Sequence, residues 1–307
     1  MPELRTLLAA TDLSPHADLA LARAATLARQ HAATLVALHV VDHVLGADRA
    51  PDNLLRLMFG PGGDVEREVK ARAGQALTVK LGTLDLPPGS ARGEVRLGTP
   101  FLGIIRQARS QHADLVVLGA HGGHFLKNWM LGTTAERVVR KGDRPVLVVK
   151  RPTRAHYRHV LVPTDFSDNA RQALEAAHRV APDAKLTLLH VYDFTYDPAL
   201  DTGDITPDLL LRLQQDYEQD ARARLADLVR ESGLDADTTS LQVRYGYPGK
   251  VVVGTASQLR ADLVAIGTRG RSGIEHVLLG SVAEHVLRET RCDVLAVPPR
   301  APRFRLP

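Results

Sequence analysis

Two stretches of the chain space glycines in a way that suits anion binding. Gly267-x-x-Gly270 is followed, after nine residues, by Gly280-Ser281; Gly119-x-x-Gly122 is followed, after nine residues, by Gly132-Thr133. Glycine permits positive backbone angles and close approach of backbone amides to a ligand, and such amides form an anion-binding concavity. Each stretch follows an apolar run, Leu115-Val-Val-Leu118 or Leu263-Val-Ala-Ile266. Thr133-Thr-Ala-Glu136 and Ser281-Val-Ala-Glu284 each match a capping box, which predicts a helix start capped by Thr133 or Ser281. The amides at those starts, on Thr133, Thr134, Ser281 and Val282, and the positive end of the helix dipole favour a phosphate. Hydroxyls that only cap their helices are the plainer reading, and the two roles can coexist. Arg269 and Arg271 add two cations to one loop, where they meet phosphates or only water; the other carries His121, His124 and Lys127, with Trp129 beyond.

Other residues with chemistry sit after other apolar runs. Asp12 and Asp165 follow the first run of each half. Either they cap the next turn, or they accept hydrogen bonds from a ribose hydroxyl or an adenine amino group. His39 and His190 lie inside apolar runs and read as satisfied core residues rather than catalysts. The backbone of the next residue, Val40 or Val191, is placed to read an adenine edge. His121 and His124, three apart with no carboxylate or cysteine beside them, make a poor metal site. Cys292 is the single cysteine, which excludes an intramolecular disulfide and a cysteine metal cluster.

The elements that must position these residues come in two copies. Leu7-Leu-Ala-Ala-Thr-Asp-Leu-Ser14 returns as Val160-Leu-Val-Pro-Thr-Asp-Phe-Ser167, and Arg96-Leu-Gly-Thr-Pro100 as Arg244-Tyr-Gly-Tyr-Pro248. Ala113-Asp-Leu-Val-Val-Leu-Gly119 likewise returns as Ala261-Asp-Leu-Val-Ala-Ile-Gly267. Equivalents lie about 150 residues apart, too long a period for a solenoid and right for two like domains. The predicted domains are 1–150 and 157–307, joined by the basic linker Lys150–His156. In each copy apolar strands alternate with helical patterns. Ser14-Pro15 fits a helix start, and Ala17, Leu21, Ala24 and Ala28 then recur on one helical face, as do Ala170, Ala173, Leu174, Ala177 and Ala181. A long helix is predicted over 207–231. This alternation specifies α/β domains, each a doubly wound, open and mostly parallel sheet with helices on both faces. Ligands of such sheets bind at the carboxyl ends of the strands where strand order reverses.

Composition narrows the function classes. The 307 residues are 44% hydrophobic and 24% charged, as in a soluble globular protein. A net charge of +4 with interspersed signs, and 4% aromatics, argue against nucleic acid as a partner. No secretory pattern opens the chain and no run spans a bilayer, so a cytoplasmic protein without a membrane partner is expected. No Gly-Lys-Ser or Gly-Lys-Thr P-loop occurs, nor the Ser-Gly-Gly or His-Ile-Gly-His stretches of acyl-activating nucleotide folds.

With these motifs the chain resembles the universal stress protein family over nearly its whole length, as a tandem of two domains. The glycine signature closing in serine or threonine, Pro163-Thr-Asp-Phe-Ser167 and the Leu-His-Val strand ends carry the likeness. The resemblance implies sheets of five parallel strands (adenine nucleotide alpha hydrolase-like), and ATP, with or without Mg²⁺, as the ligand. It implies Asp12 and Asp165 near the adenosine, backbone contacts from Val40 and Val191, and a phosphate-side loop of Gly119, Gly122, Gly132 and Thr133, or Gly267, Gly270, Gly280 and Ser281. His121 stands where the family often has histidine. It further implies pairing through the last strand, as a pseudo-dimer or a homodimer. A nucleotide-dependent stress-response role is the leading expectation; a slow ATPase and an interaction module are the alternatives. The second copy, with Pro163 where the first has Ala10 and with Arg269 in its loop, is expected to bind more tightly.

Overall fold

The computed structural model describes residues 3–42, 64–120, 131–152, 155–193, 206–270 and 279–300. The chain divides into two compact units, the first ending at His156 and the second running Tyr157–Pro299. The described elements of the first unit are β1 (Thr6–Ala10), α1 (Ala17–Gln30), β2 (Thr34–Val41), α2 (Asp64–Gly82), β3 (Ala91–Leu97), α3 (Pro100–Ser110), β4 (Leu115–Gly119), α4 (Thr133–Lys141) and β5 (Val146–Val149). Those of the second are β6 (His159–Thr164), α5 (Asp168–Val180), β7 (Lys185–Tyr192), α6 (Pro207–Glu231), β8 (Thr239–Tyr245), α7 (Pro248–Gln258), β9 (Leu263–Gly267), α8 (Ser281–Glu289) and β10 (Asp293–Val297).

Every described strand pair within a unit is parallel, in the order β3-β2-β1-β4-β5 for the first and β10-β9-β6-β7-β8 for the second. Parallel strands covered on both faces need apolar residues on both sides, and Leu7, Leu8, Leu115, Val117, Leu161, Leu263 and Val264 are all buried. The predicted stripe of small residues is buried in both copies, from Ala17 to Ala28 in α1 and from Ala170 to Ala181 in and after α5. Strands β3 and β8 did not show in the sequence as apolar runs. They lie at one end of each unit's sheet, half exposed, and alternate charged or polar residues with short apolar ones, as Ala91-Arg-Gly-Glu-Val-Arg-Leu97 does.

Two of the repeated motifs serve the fold. Asp114 accepts hydrogen bonds from the amides of Arg5 (2.8 Å) and Thr6 (2.9 Å), and Asp262 accepts from Arg158 (2.8 Å) and His159 (3.1 Å). Each aspartate therefore anchors the start of its unit's first strand. Gly98 and Gly246 have φ of 133° and 132°, a region open to glycine. Their amides bond to Val41 and Tyr192 carbonyls (2.9 Å each), and they turn β3 or β8 into a helix opened by Pro100 or Pro248. No described helix is long and apolar enough to cross a membrane.

Asp262 works at the opposite end of the strands from the glycine loop. Asp262→Ala is expected to lower the stability of the second unit by about 1–2 kcal/mol, because two strand amides lose their acceptor. The measurement is a urea unfolding midpoint, with ligand affinity of the folded fraction unchanged.

Candidate functional site

In the second unit the winding reverses between β6 and β9. Their ladder pairs Val160 with Leu263 and Leu161 with Val264 and goes no further. The reason is Pro163. The carbonyl of His159 accepts from Asp262 on the β9 side, so alternation turns His159, Leu161 and Pro163 toward β9. Proline has no N–H to offer there, and the strands part. In the first unit Ala10 holds that place, and the β1–β4 ladder runs one residue longer, to Ala9 with Val117.

A cavity of about 230 Å³ opens where β6 and β9 separate. Pro163, Leu189, Ile266, Ala170, Val252 and Ala283 supply apolar walls, and Thr164, Asp165, Arg269 and Ser281 supply polar groups. All eight second-unit residues singled out in the sequence line it: Asp165, Val191, Gly267, Arg269, Gly270, Gly280, Ser281 and Val282. Arg271 lies outside the described residues.

The turn after β6 aims Asp165. Thr164 Oγ1 accepts from the Phe166 amide (3.0 Å), and Asp165 Oδ1 accepts from the Ser167 amide (3.1 Å) and hydroxyl (2.6 Å). Phe166 sits at φ 63° and its counterpart Leu13 at φ 65°, a conformation that disfavours bulky side chains. The capping role weighed for the aspartate is thus real, but it uses one oxygen. The other, Oδ2, faces Gly270, where an added Cβ would lie 3.0 Å from it.

Gly267 and Gly270 sit in tight quarters rather than at positive φ. Gly267 and Gly270 are not in the left-handed region, and Gly280 is extended at φ −71°, ψ 152°. A Cβ on Gly267 would meet Asn169 at 3.0 Å, whereas one on Gly280 would make ordinary contact with the Thr268 carbonyl at 3.6 Å.

The predicted capping boxes do not form. Gly132 and Gly280 are the N-caps of α4 and α8, without a side-chain cap, and Thr133 and Ser281 are the first helical residues. Glu136 and Glu284 turn instead to the arginines one turn on, Arg140 (2.8 Å) and Arg288 (3.8 Å). Ser281, no longer the cap of its helix, lines the cavity.

Both loops are closed by the same two bonds. In the first unit Ala120 donates to the Val149 carbonyl (2.9 Å) and Gly132 to the Ala120 carbonyl (2.8 Å); in the second, Thr268 donates to Val297 (2.9 Å) and Gly280 to Thr268 (2.8 Å). Asp12 follows β1 and is exposed, its Oδ1 accepting from the Ser14 amide at 3.0 Å. Val40 is the last residue but one of β2 and lies against Gly103, Gly119 ends β4, and Thr133 and Thr134 open α4. His121 and Gly122, with His124, Lys127 and Trp129, lie outside the described residues.

Of the strand histidines, His190 is a buried core residue and His39 is half-buried. His39 Nδ1 donates to the Thr11 carbonyl (2.8 Å) and His190 Nδ1 to the Thr164 carbonyl (2.9 Å), since a carbonyl only accepts. That tautomer leaves His190 Nε2 to accept from the Tyr217 hydroxyl (3.1 Å). Sequence reasoning missed Asn169, the buried residue that reaches the end of the glycine loop. Its copy-one counterpart is His16, so comparison of the halves gave no signal.

The sequence profile described as the universal stress protein family matches residues 3–150 and again 156–298. The chain belongs to the universal stress protein family. Among family members, a universal stress protein of Methanocaldococcus jannaschii is 33% identical over 146 residues, 46% of this chain and 82% of that one. A universal stress protein A homologue of Coxiella burnetii is 30% identical over 142 residues, 46% of this chain and 96% of its own. The crystal structure of a universal stress protein from Archaeoglobus fulgidus covers 96% of this chain and 98% of its own, with a TM-score of 0.63 at 20% identity, a likeness of fold.

Behind Val191, this universal stress protein carries a tyrosine cluster. Tyr192 is 6% exposed and packs against Tyr217 (4.8 Å) and Tyr245 (5.5 Å), its hydroxyl donating to Glu218 (2.9 Å). Burial, and then the Glu218 hydrogen bond and charge, push the hydroxyl from 10.0 up to about 12. The folded state keeps this proton when the unfolded state has lost it, so the stabilisation is full below pH 10 and is lost as pH rises toward 12. The stability advantage of the native chain over Tyr192→Phe should shrink by about 2–3 kcal/mol across that window. Urea unfolding of the two chains at pH 9 and 12 measures it.

Proposed function

We propose that this universal stress protein binds ATP, with the cleft of its second unit as the principal site, and that the bound nucleotide regulates a cytoplasmic stress-response role. The observation that carries the reading is the content of the β6–β9 cleft: apolar walls, one aspartate, and a glycine loop ending at a helix start. A purine suits Pro163, Leu189 and Ile266, with the Val191 backbone beside it to read its edge. Strand β7 runs to Tyr192, beyond its last paired residue on β6, His190 opposite Thr164.

Asp165 stands beside Gly270. A carboxylate there suits ribose hydroxyls as acceptors and repels phosphate oxygens. The phosphates are then directed to the amides of Ser281 and Val282 at the start of α8, where the dipole is favourable, with Arg269 as the cation of the same wall. Mg²⁺, where present, would arrive on the phosphates, as it does when few carboxylates are offered. In the first unit Asp12, Val40, Gly119, Gly132, Thr133 and Thr134 take the corresponding roles, with His121 and Gly122 in the loop, in a weaker site.

Fluorescence or calorimetric titration with ATP tests the reading. Gly280→Ala has room at an allowed φ and ψ and should cost the fold no more than about 1 kcal/mol. Its methyl group enters the mouth of the loop, so ATP affinity is expected to fall on the order of tenfold, about 1.4 kcal/mol. Gly270→Val, whose Cβ meets Asp165, should lose more. An unaltered chain that binds no adenine nucleotide, and releases none on denaturation, would overturn the proposal.

A further inference from the structure

We infer that Asn169 is the positioning residue that sets the register of the second unit's phosphate loop, and that His16 in its place makes the first unit the weaker site; this rests on the nucleotide reading above. Asn169 is the second residue of α5 and 6% exposed. Helix α5 packs on β6, β9 and β10, so its first turn reaches the ends of two strands at once. Asn169 Nδ2 donates to the Val297 carbonyl at 3.0 Å, and Asn169 Oδ1 accepts from the Arg269 amide at 2.9 Å. Val297 also accepts from Thr268, at 2.9 Å. The exit of β9 is thereby tied to the end of β10 through one side chain.

An amide given to Asn169 is not available to a phosphate. Anion-facing amides of the loop therefore begin at Gly270, and the Arg269 peptide plane is fixed before ligand arrives. Such preorganisation lowers the ordering cost of binding. Gly267 belongs to the same device, since a Cβ there would crowd Asn169 at 3.0 Å.

Only a carboxamide offers a donor and an acceptor side by side at this short reach. Aspartate would keep the acceptor but bring a charge toward the phosphates and lose the bond to Val297. In the first unit the equivalent residue, counting from Asp12 as from Asp165, is His16, which is exposed and lies just before α1. The outer closure of that loop, Ala120 to Val149, is kept, but an exposed imidazole stands in place of the carboxamide.

Titrations of the full chain with ATP and with adenosine test this. A residue that sets the phosphate loop affects ATP far more than adenosine, whereas a residue that only supports the fold affects both alike. Asn169→His makes the two units alike at this position. It is expected to weaken the tighter ATP site on the order of tenfold while adenosine affinity changes less than about twofold. Asn169→Asp should act in the same direction. An unchanged ratio of ATP to adenosine affinity in both variants would overturn the inference. Hydrogen exchange of the unaltered, ligand-free chain gives a test independent of any variant's folding: the Arg269 amide should be protected, and exchange at the rate of an open loop would overturn the inference as well. Absence of ATP binding by the unaltered chain with a protected Arg269 amide would instead sink the nucleotide reading, and this inference with it.

Discussion

The functional architecture of the second unit depends on the parting of β6 from β9. A parallel ladder persists while each strand presents N–H and C=O groups to its neighbour, and Pro163 withdraws one N–H on the side that faces β9. Beyond Leu161 and Val264 the strands have no register to hold them together. Thr164 and Gly267 then keep only their outer partners, His190 and Val297, and Asp165 follows at the point where the winding reverses. The walls of the cleft come from elements that would be in place in any sheet of this topology: the starts of α5, α7 and α8 and the end of β7.

What the cleft can hold follows from how its polar groups are already engaged. Asp165 Oδ1 is engaged by Ser167, and its Oδ2 lies toward Gly270. The loop is committed at both ends, through Thr268 to Val297 and through Gly280 to Thr268, with Asn169 fixing Arg269 between them. The start of α8 is the least committed part, because glycine caps it and the Glu284 side chain turns to Arg288. An anion is best served there. The two units share the outer closures and the Thr-Asp-x-Ser turn but not Pro163 or Asn169, so duplication preserved the frame and let the interior of the site diverge.

Much of the fold was legible because it rests on local pattern. Apolar runs marked the central strands, the long helix over 207–231 has its bounds in Thr206 and Ser232, and the small-residue stripes of α1 and α5 are buried. Strands β3 and β8 were not legible, since half-exposed strands at the end of a sheet need no apolar run. The capping boxes misled for a related reason. A hydroxyl followed three residues later by glutamate is compatible with the hydroxyl at the N-cap or one residue inside, and Arg140 and Arg288 drew the glutamates away. Asn169 could not be recognised, because a polar residue in a first helical turn usually faces solvent and its partners lie 100 and 128 residues on.

The sequence by itself determined the duplication, the α/β class, the family and the spacing of the glycines. Each of these is written in spacing along one chain, which folding does not alter. The tertiary structure alone decided what two of them face: Gly267 abuts Asn169, Gly270 abuts the Asp165 carboxylate, and neither has a left-handed backbone. It also decided that Pro163 opens the sheet and that Ser281 faces a cavity rather than its own helix. Those outcomes depend on which groups from distant segments compete for one volume and one set of hydrogen bonds, and that competition exists only once the strands lie side by side.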